Sequence, residues 1–201
     1  LTNPTVGTLE NRLTELEDGA MCVALSSGTS SVMYSLINIM SQGDNFITDT
    51  QLYGGTFTMF TNILPEFGIT CKKVDTTDLD LVEKSIDKNT KAIYVETITN
   101  PGLVVADIEG LSKVAHSKGI PLIVDATFTT PALQKSLDFG ADIVVHSLTK
   151  WMSGHGRVIA GAVIEKGGFE WGNGNFPLYD TPDSSYGGMR WGHDLGDLSG
   201  V

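Results

Sequence analysis

Apolar and polar positions along this chain switch repeatedly between a helical and a strand period. Residues 4–18 carry Val6, Leu9, Leu13 and Leu16 at helical spacing, with Pro4 at a tolerated first-turn position and Gly19 as a stop. Residues 20–25 form a short apolar run of strand length. Ser26-Ser27-Gly28-Thr29-Ser30-Ser31 leads from it into a helix over Val32-Met33-Tyr34-Ser35-Leu36-Ile37 that ends before Gly43. The pattern then predicts a strand over 45–49, a helix opening after Tyr53-Gly54-Gly55 and running through Asn62, and a strand over 69–74. An amphipathic helix over 78–86 follows, with Leu79, Val82 and Ile86 on one face, and then a strand over 91–96. A helix over 108–118 is closed by Gly119, a strand covers 120–124, and a short helix over 133–139 is closed by Gly140. Two further strands are predicted, one running to Val145 and one over 158–164. The chain shows no internal repeat and no low-complexity tract.

Strands alternating with helices imply parallel strands joined by helical crossovers, hence an α/β fold with a mainly parallel sheet in three layers. Ligands in such sheets bind outside the carboxyl ends of the strands. The out-of-place polar residues fall there: Ser27-Gly28-Thr29, Tyr53, Glu96 with Asn100, Asp125 with Thr127, and Ser147-x-Thr149-Lys150. The last group matters most. Ala141-Asp142-Ile143-Val144-Val145-His146 reads as a buried strand that empties into two hydroxyls and an amine, followed by Gly154-His155-Gly156. Hydroxyls donate to phosphate oxygens, and a deprotonated lysine attacks a carbonyl to form a Schiff base. The Ser/Gly turn offers free backbone N–H groups at a helix start, where an anion is favoured.

Composition narrows the choice. With 201 residues, 41% apolar and 18% charged, the chain is long enough for one sizeable domain. A net charge of −11 argues against nucleic acid or an anionic membrane as partner. No apolar run is long enough to cross a membrane, and no signal peptide is evident. Cys22 and Cys71 both lie in predicted strands and read as reduced core residues of a cytoplasmic protein. His146 and His155 lack cysteine or carboxylate partners at ligand spacing, so no metal site is expected, and His116 and His193 read as surface residues. Neither a Walker A loop nor Gly-x-Gly-x-x-Gly occurs, which weighs against ATP or NAD.

Phosphate donors, an aromatic ring, a strand-ending carboxylate and a lysine together fit pyridoxal 5'-phosphate (PLP). Gly28 and Thr29 N–H groups with the Ser147 and Thr149 hydroxyls would take the phosphate, Tyr53 would lie against the ring, Asp125 would keep the pyridine nitrogen protonated, and Lys150 would hold the aldehyde. Glu96 reads as a residue that shapes its turn.

The ordered series Ser27-Gly28-Thr29-Ser30, Leu52-Tyr53-Gly54-Gly55-Thr56, Glu96-Thr97-Ile98-Thr99-Asn100-Pro101, Val124-Asp125-Ala126-Thr127-Phe128 and His146-Ser147-Leu148-Thr149-Lys150-Trp151 resembles the Cys/Met-metabolism family of PLP-dependent enzymes. The resemblance spans essentially the whole chain. It implies a fold of the aspartate-aminotransferase type, with Lys150 and Tyr53 catalytic and with Gly28, Thr29, Tyr53, Asn100, Asp125, Thr127, Ser147, Thr149 and Lys150 binding the cofactor. Two segments, Phe169-Glu170-Trp171-Gly172-Asn173-Gly174-Asn175-Phe176-Pro177 and Ser185-Tyr186-Gly187-Gly188, resemble an insert of the family's O-acetylhomoserine sulfhydrylases. Ala126, where the family usually has Asn, is a departure, as are Thr29 and Gly187.

The resemblance implies γ-replacement on O-acetylhomoserine by sulfide or a thiol, yielding homocysteine or methionine, in a homodimer or homotetramer. A methionine or cystathionine γ-lyase of the same family, or an inactive PLP-binding fragment, is the alternative. Leu1-Thr2-Asn3-Pro4 enters a helix already under way and Leu195–Val201 closes on no element, so the chain reads as a piece of a longer protein, and the resemblance implies that residues 1–201 are part of a PLP-binding large domain without its N-terminal arm and C-terminal domain.

Overall fold

The computed structural model describes residues 3–195. Leu1, Thr2 and the stretch 196–201, on which the reading of the chain ends depends, lie outside them. Seven strands form one sheet: β1 (Met21–Leu25), β2 (Asn45–Asp49), β3 (Thr70–Val74), β4 (Thr90–Glu96), β5 (Leu122–Asp125), β6 (Ile143–Ser147) and β7 (Gly161–Glu165). Their order is β1-β7-β6-β5-β4-β2-β3. All run one way except β7, which pairs antiparallel with both β1 and β6. The expected mainly parallel sheet is therefore present, with one reversed strand that the alternation of elements did not indicate. β7 follows β6 through a loop with no helical crossover, and a connection of that kind returns the chain antiparallel.

The helices are α1 (Pro4–Glu17), α2 (Gly28–Ile37), α3 (Gly54–Thr58), α4 (Leu79–Ser85), α5 (Ile108–Ser117), α6 (Thr130–Leu133) and α7 (Pro177–Asp180). They start where capping chemistry places them. Asn3, Ser27, Asp78 and Asp107 each accept a backbone N–H in the first turn of α1, α2, α4 and α5. Alternating residues of the central strands feed two cores, as a three-layer fold requires. Ile93, Val95, Leu122, Val124 and Val144 pack with Leu13, Val82, Leu111 and Ala115 on one face. Ala92, Tyr94, Ile123, Ile143 and Val145 pack with Val32, Leu36, Phe60, Trp171 and Phe176 on the other.

Three expectations need correction. The helix expected over 133–139 is two pieces, α6 and a 3-10 turn over Ser136–Phe139, because Pro131 starts α6 early and Gln134 is extended (φ −155°). The last strand begins at Gly161, not at residue 158. Val158 and Ile159 are exposed, and pairing starts only where Gly161 meets Leu25 and Ser147. In α1 only Leu13 of the apolar stripe is buried, while Val6, Leu9 and Leu16 face outward at 38%, 42% and 41% exposure. The helix lies on the β1 edge, with Leu13 and Glu17 buried and Glu10 accepting the Ala24 N–H.

Both cysteines are free thiols. Cys22 is buried, and burial pushes its thiol up to about 12. Among the described residues no helix is long and apolar enough to cross a membrane.

Candidate active site

The carboxyl ends of β1, β2, β4, β5 and β6 open into a cavity of about 590 Å³. Every sequence-proposed site residue lines it: Gly28, Thr29, Tyr53, Asn100, Asp125, Thr127, Ser147, Thr149 and Lys150. Strand direction accounts for the convergence, since each of these residues lies at the last position of a strand, or in the loop or first turn after one, and those strands all point the same way.

At one side α2 begins. The Ser27 side chain takes the N–H of Ser30 at 3.0 Å, and its own backbone is extended. This leaves the N–H groups of Gly28 and Thr29 without a partner among the described residues, at the positive end of a ten-residue helix. Gly28 is required by packing. A Cβ built there would lie 2.4 Å from the Ser147 Cβ and 2.7 Å from its Cα. The close approach of α2 to β6 brings the two free N–H groups beside the Ser147 hydroxyl, which also has no partner among the described residues.

Ser147 ends β6, and its N–H donates to the Thr127 hydroxyl oxygen at 2.7 Å. Thr127 N–H in turn donates to Asp125 Oδ1 at 3.0 Å. The other Asp125 oxygen accepts the Tyr94 hydroxyl at 3.1 Å. Tyr94 is wholly buried beside Asp125 and Glu96, which holds its phenol well above the ordinary value. Asp125 is thus oriented from two sides while still lining the cavity. Lys150 follows β6, is exposed on the cavity wall, and has no hydrogen-bond or ion-pair partner for Nζ among the described residues. Thr149 behaves differently from the expectation of a phosphate donor. Its hydroxyl donates to the Ala160 carbonyl and accepts the Ala160 N–H, both at 3.2 Å, so its single proton is already engaged.

Tyr53 occupies the N-cap position of α3, makes no side-chain cap bond and is 47% exposed. A Cβ on Gly55 would lie 2.7 Å from the Tyr53 Cε1, so the ring rests on the first turn of α3 only because Gly55 has no side chain. Glu96, read from the sequence as a turn-shaping residue, serves two turns. It is buried, lines the cavity, and accepts the N–H groups of Tyr53 (2.7 Å) and Asn100 (3.0 Å). Burial pushes its carboxyl up to about 7, the two amide donors oppose that rise, and Asp125 and Asp49 add to it.

The sequence reading omitted an apolar rim of Ile98, Phe128, Trp151 and Ile159. Phe128 and Trp151 meet edge to face with ring centroids 6.4 Å apart. Ile98, Phe128 and Trp151 lie inside the motif series beside residues assigned to the site, and that adjacency was the available signal. His146 is wholly buried and pairs with Glu17, and no metal-ligating cluster occurs among the described residues. His116 and His193 are exposed, as expected. The segment over 169–177 lines no part of the cavity. Trp171 and Phe176 are in the core, Asn173 donates to the Gly119 carbonyl, and Lys91 donates to the Asn175 carbonyl, at the amino ends of the strands.

Comparison with known proteins decides the family. The family model for Cys/Met metabolism PLP-dependent enzymes matches residues 1–186. This chain belongs to that family.

Relatives within the Cys/Met metabolism family agree. Homocysteine synthase of Schizosaccharomyces pombe is 43% identical over 200 residues, which is 98% of this chain and 47% of that protein. L-methionine gamma-lyase of Fusobacterium nucleatum is 49% identical over 165 residues, 82% of this chain and 42% of that protein. A crystal structure from Campylobacter jejuni, named as an O-acetylhomoserine (thiol)-lyase and containing N'-pyridoxyl-lysine-5'-monophosphate, superposes with a TM-score of 0.94 at 40% identity, over 99% of this chain and 50% of that one. The chain thus spans about half the length of the relatives it matches.

The residues present fit the family's cofactor. Two unpartnered N–H groups and an unpartnered hydroxyl meet where a Cβ on Gly28 would not fit, a pre-oriented carboxylate stands on the cavity wall, and an unpaired lysine amine lies on the same wall.

Proposed function

We propose that the full-length protein catalyses γ-replacement on O-acetylhomoserine with sulfide or a thiol, forming homocysteine or methionine, and that residues 1–201 are part of its PLP-binding domain. The observation that carries this is one cavity in which an unpaired Lys150 amine shares the wall with the Gly28–Thr29–Ser147 cradle and Asp125. When bound, PLP supplies an electron sink for charge developing on the substrate carbons next to the amine. This chain's residues do the rest. Gly28 and Thr29 N–H with Ser147 Oγ bind the phosphate, and Thr127 holds the Ser147 backbone in place. Asp125, fixed by Tyr94 and Thr127, favours a protonated pyridine nitrogen. Tyr53 stacks on the ring, Asn100 orients it, and Lys150 Nζ holds the aldehyde and then moves protons at substrate Cα and Cβ. Thr149 joins the phosphate set only if its proton turns away from Ala160.

A γ-lyase is the second reading, favoured by the 49% identity to the Fusobacterium lyase. A cytoplasmic homodimer or homotetramer completes the proposal. The test has two stages. Borohydride reduction after PLP addition, with peptide mapping, is expected to place a phosphopyridoxyl group on the Lys150 peptide, and an unmodified Lys150 in the folded full-length protein refutes the mechanism. Sulfide-dependent homocysteine formation then supports the transferase, whereas release of a ketoacid from methionine without sulfide supports the lyase.

A further inference from the structure

We propose that Glu96 is a positioning residue whose single carboxylate ties the Tyr53 turn to the Asn100 turn across the mouth of the cavity, so that ring and amide meet a bound cofactor in a fixed relation. This rests on the reading of the cavity as a PLP site.

The geometry is specific to a glutamate. Oε1 accepts the Tyr53 N–H at 2.7 Å and Oε2 accepts the Asn100 N–H at 3.0 Å. The first bond joins residues 43 apart in the chain. Neither partner is held by burial, since Tyr53 and Asn100 are both exposed, and α3 has no side-chain cap of its own. Glu96 is the opposite: it ends β4, is only 6% exposed, and sits on a strand buried along its whole length. A rigid anchor therefore joins two turns that have hydrogen bonds of their own, such as Thr99 N–H to the Val104 carbonyl and Gln51 N–H to Asp49, but are joined to each other through this carboxylate. Glutamine would turn one acceptor into a donor facing an N–H, and aspartate is one methylene too short to reach both turns.

The surroundings make this carboxylate expensive to keep for any lesser purpose. Asp49 ends the neighbouring strand β2, Asp125 ends β5 on the other side, and the Tyr94 hydroxyl lies two residues earlier on β4. No cation pairs with Glu96 among the described residues, so only the two amide donors offset its desolvation and its acidic neighbours. Protonation would convert one acceptor oxygen into a donor and release one turn, and burial brings that event to about pH 7.

The test uses the full-length protein and the variants Glu96→Gln and Glu96→Leu. Amide hydrogen exchange is followed in peptides covering 51–57 and 98–103 and in β5, alongside PLP titration of the apoprotein across neutral pH. Both variants are expected to exchange about tenfold faster or more in at least one of the two turns while β5 is unchanged. Their PLP dissociation constants are expected to rise about tenfold and to lose a pH step near neutrality that wild type shows. Wild type alone gives an independent check: its two turns should lose protection relative to β5 as pH falls below about 7, after correction for intrinsic exchange. Unchanged protection of both turns, or a loss spread evenly over β5 as well, overturns the proposal. Failure of wild-type apoprotein to take up PLP overturns the cofactor reading, whereas normal uptake by wild type with unaltered variants overturns the tie alone.

Discussion

Replacing Gly28 by alanine tests the construction of the phosphate cradle directly. The added Cβ would sit 2.4 Å from Ser147 Cβ, 2.7 Å from its Cα and 2.8 Å from its Oγ. Ordinary carbon contacts are about 3.5–4.0 Å, so the two segments must separate by about 1 Å. β6 cannot give, because it is hydrogen-bonded to β5 and β7 on both sides. The start of α2 must therefore move. Overpacking of this kind costs about 1–3 kcal/mol, and the helix preference of alanine returns at most about 1 kcal/mol. A net loss of about 1–2 kcal/mol corresponds to a fall in Tm of roughly 2–8 °C for a chain of this size. A displacement of about 1 Å also takes the Gly28 and Thr29 N–H groups out of range of an anion that Ser147 still holds. PLP affinity should then fall at least about tenfold, the value of one charged hydrogen bond. Gly7→Ala is the control. It lies within α1 with nothing within 4 Å of its built Cβ, so the same substitution should raise stability by about 0.5–1 kcal/mol. Differential scanning fluorimetry and PLP titration measure both effects. A Gly28→Ala protein matching wild type in Tm and PLP affinity would refute the close approach of α2 to β6.

Four other outcomes follow from the same coordinates. Glu96 has a folded value of about 7 against an ordinary 4.5, so between these the native state holds one more proton than the unfolded chain. Its contribution to stability is fully present below pH 4.5 and is lost as pH rises through about 7, by up to about 3 kcal/mol. Glu96→Gln should remove that dependence, so urea midpoints at about pH 5 and about pH 8 should shift in the variant's favour at the higher pH; parallel curves would contradict this. The Glu17–His146 pair is buried, with Glu17 Oε2 and His146 Nδ1 lacking partners, so Glu17→Ala should cost about 3–5 kcal/mol by urea unfolding. Glu109→Ala, which breaks the exposed pair with Lys113, should cost under about 0.5 kcal/mol. Cys22, with its thiol pushed up to about 12, should resist a thiol-disulfide reagent near neutral pH until the protein unfolds, and fast native-state labelling of the Cys22 peptide would count against that burial.

The elements were legible because their signals are local. A strand-length apolar run, a capping serine or aspartate and a closing glycine depend on a few neighbouring residues, and they placed β4, β5, β6 and α5 within a residue or two. The site was legible for a related reason. In a mainly parallel sheet the residue after each strand goes to the same edge, so motif positions distant in sequence needed no knowledge of strand order to converge. Three-dimensional packing settled what those signals did not contain. Only pairing shows that β7 is reversed and that the strand starts at Gly161 rather than at apolar Val158. Only the docking of α1 on the sheet edge shows that it buries Leu13 with Glu17 and leaves Val6, Leu9 and Leu16 exposed. Only the register of β6 against the Ala160 loop turns the Thr149 hydroxyl toward a carbonyl. Glu96 shows the division most clearly: its position at a strand end and its bond to nearby Asn100 are local in the chain, but its hydrogen bond to Tyr53 reaches a residue 43 positions away, and such a contact exists only after the sheet has brought the two turns together.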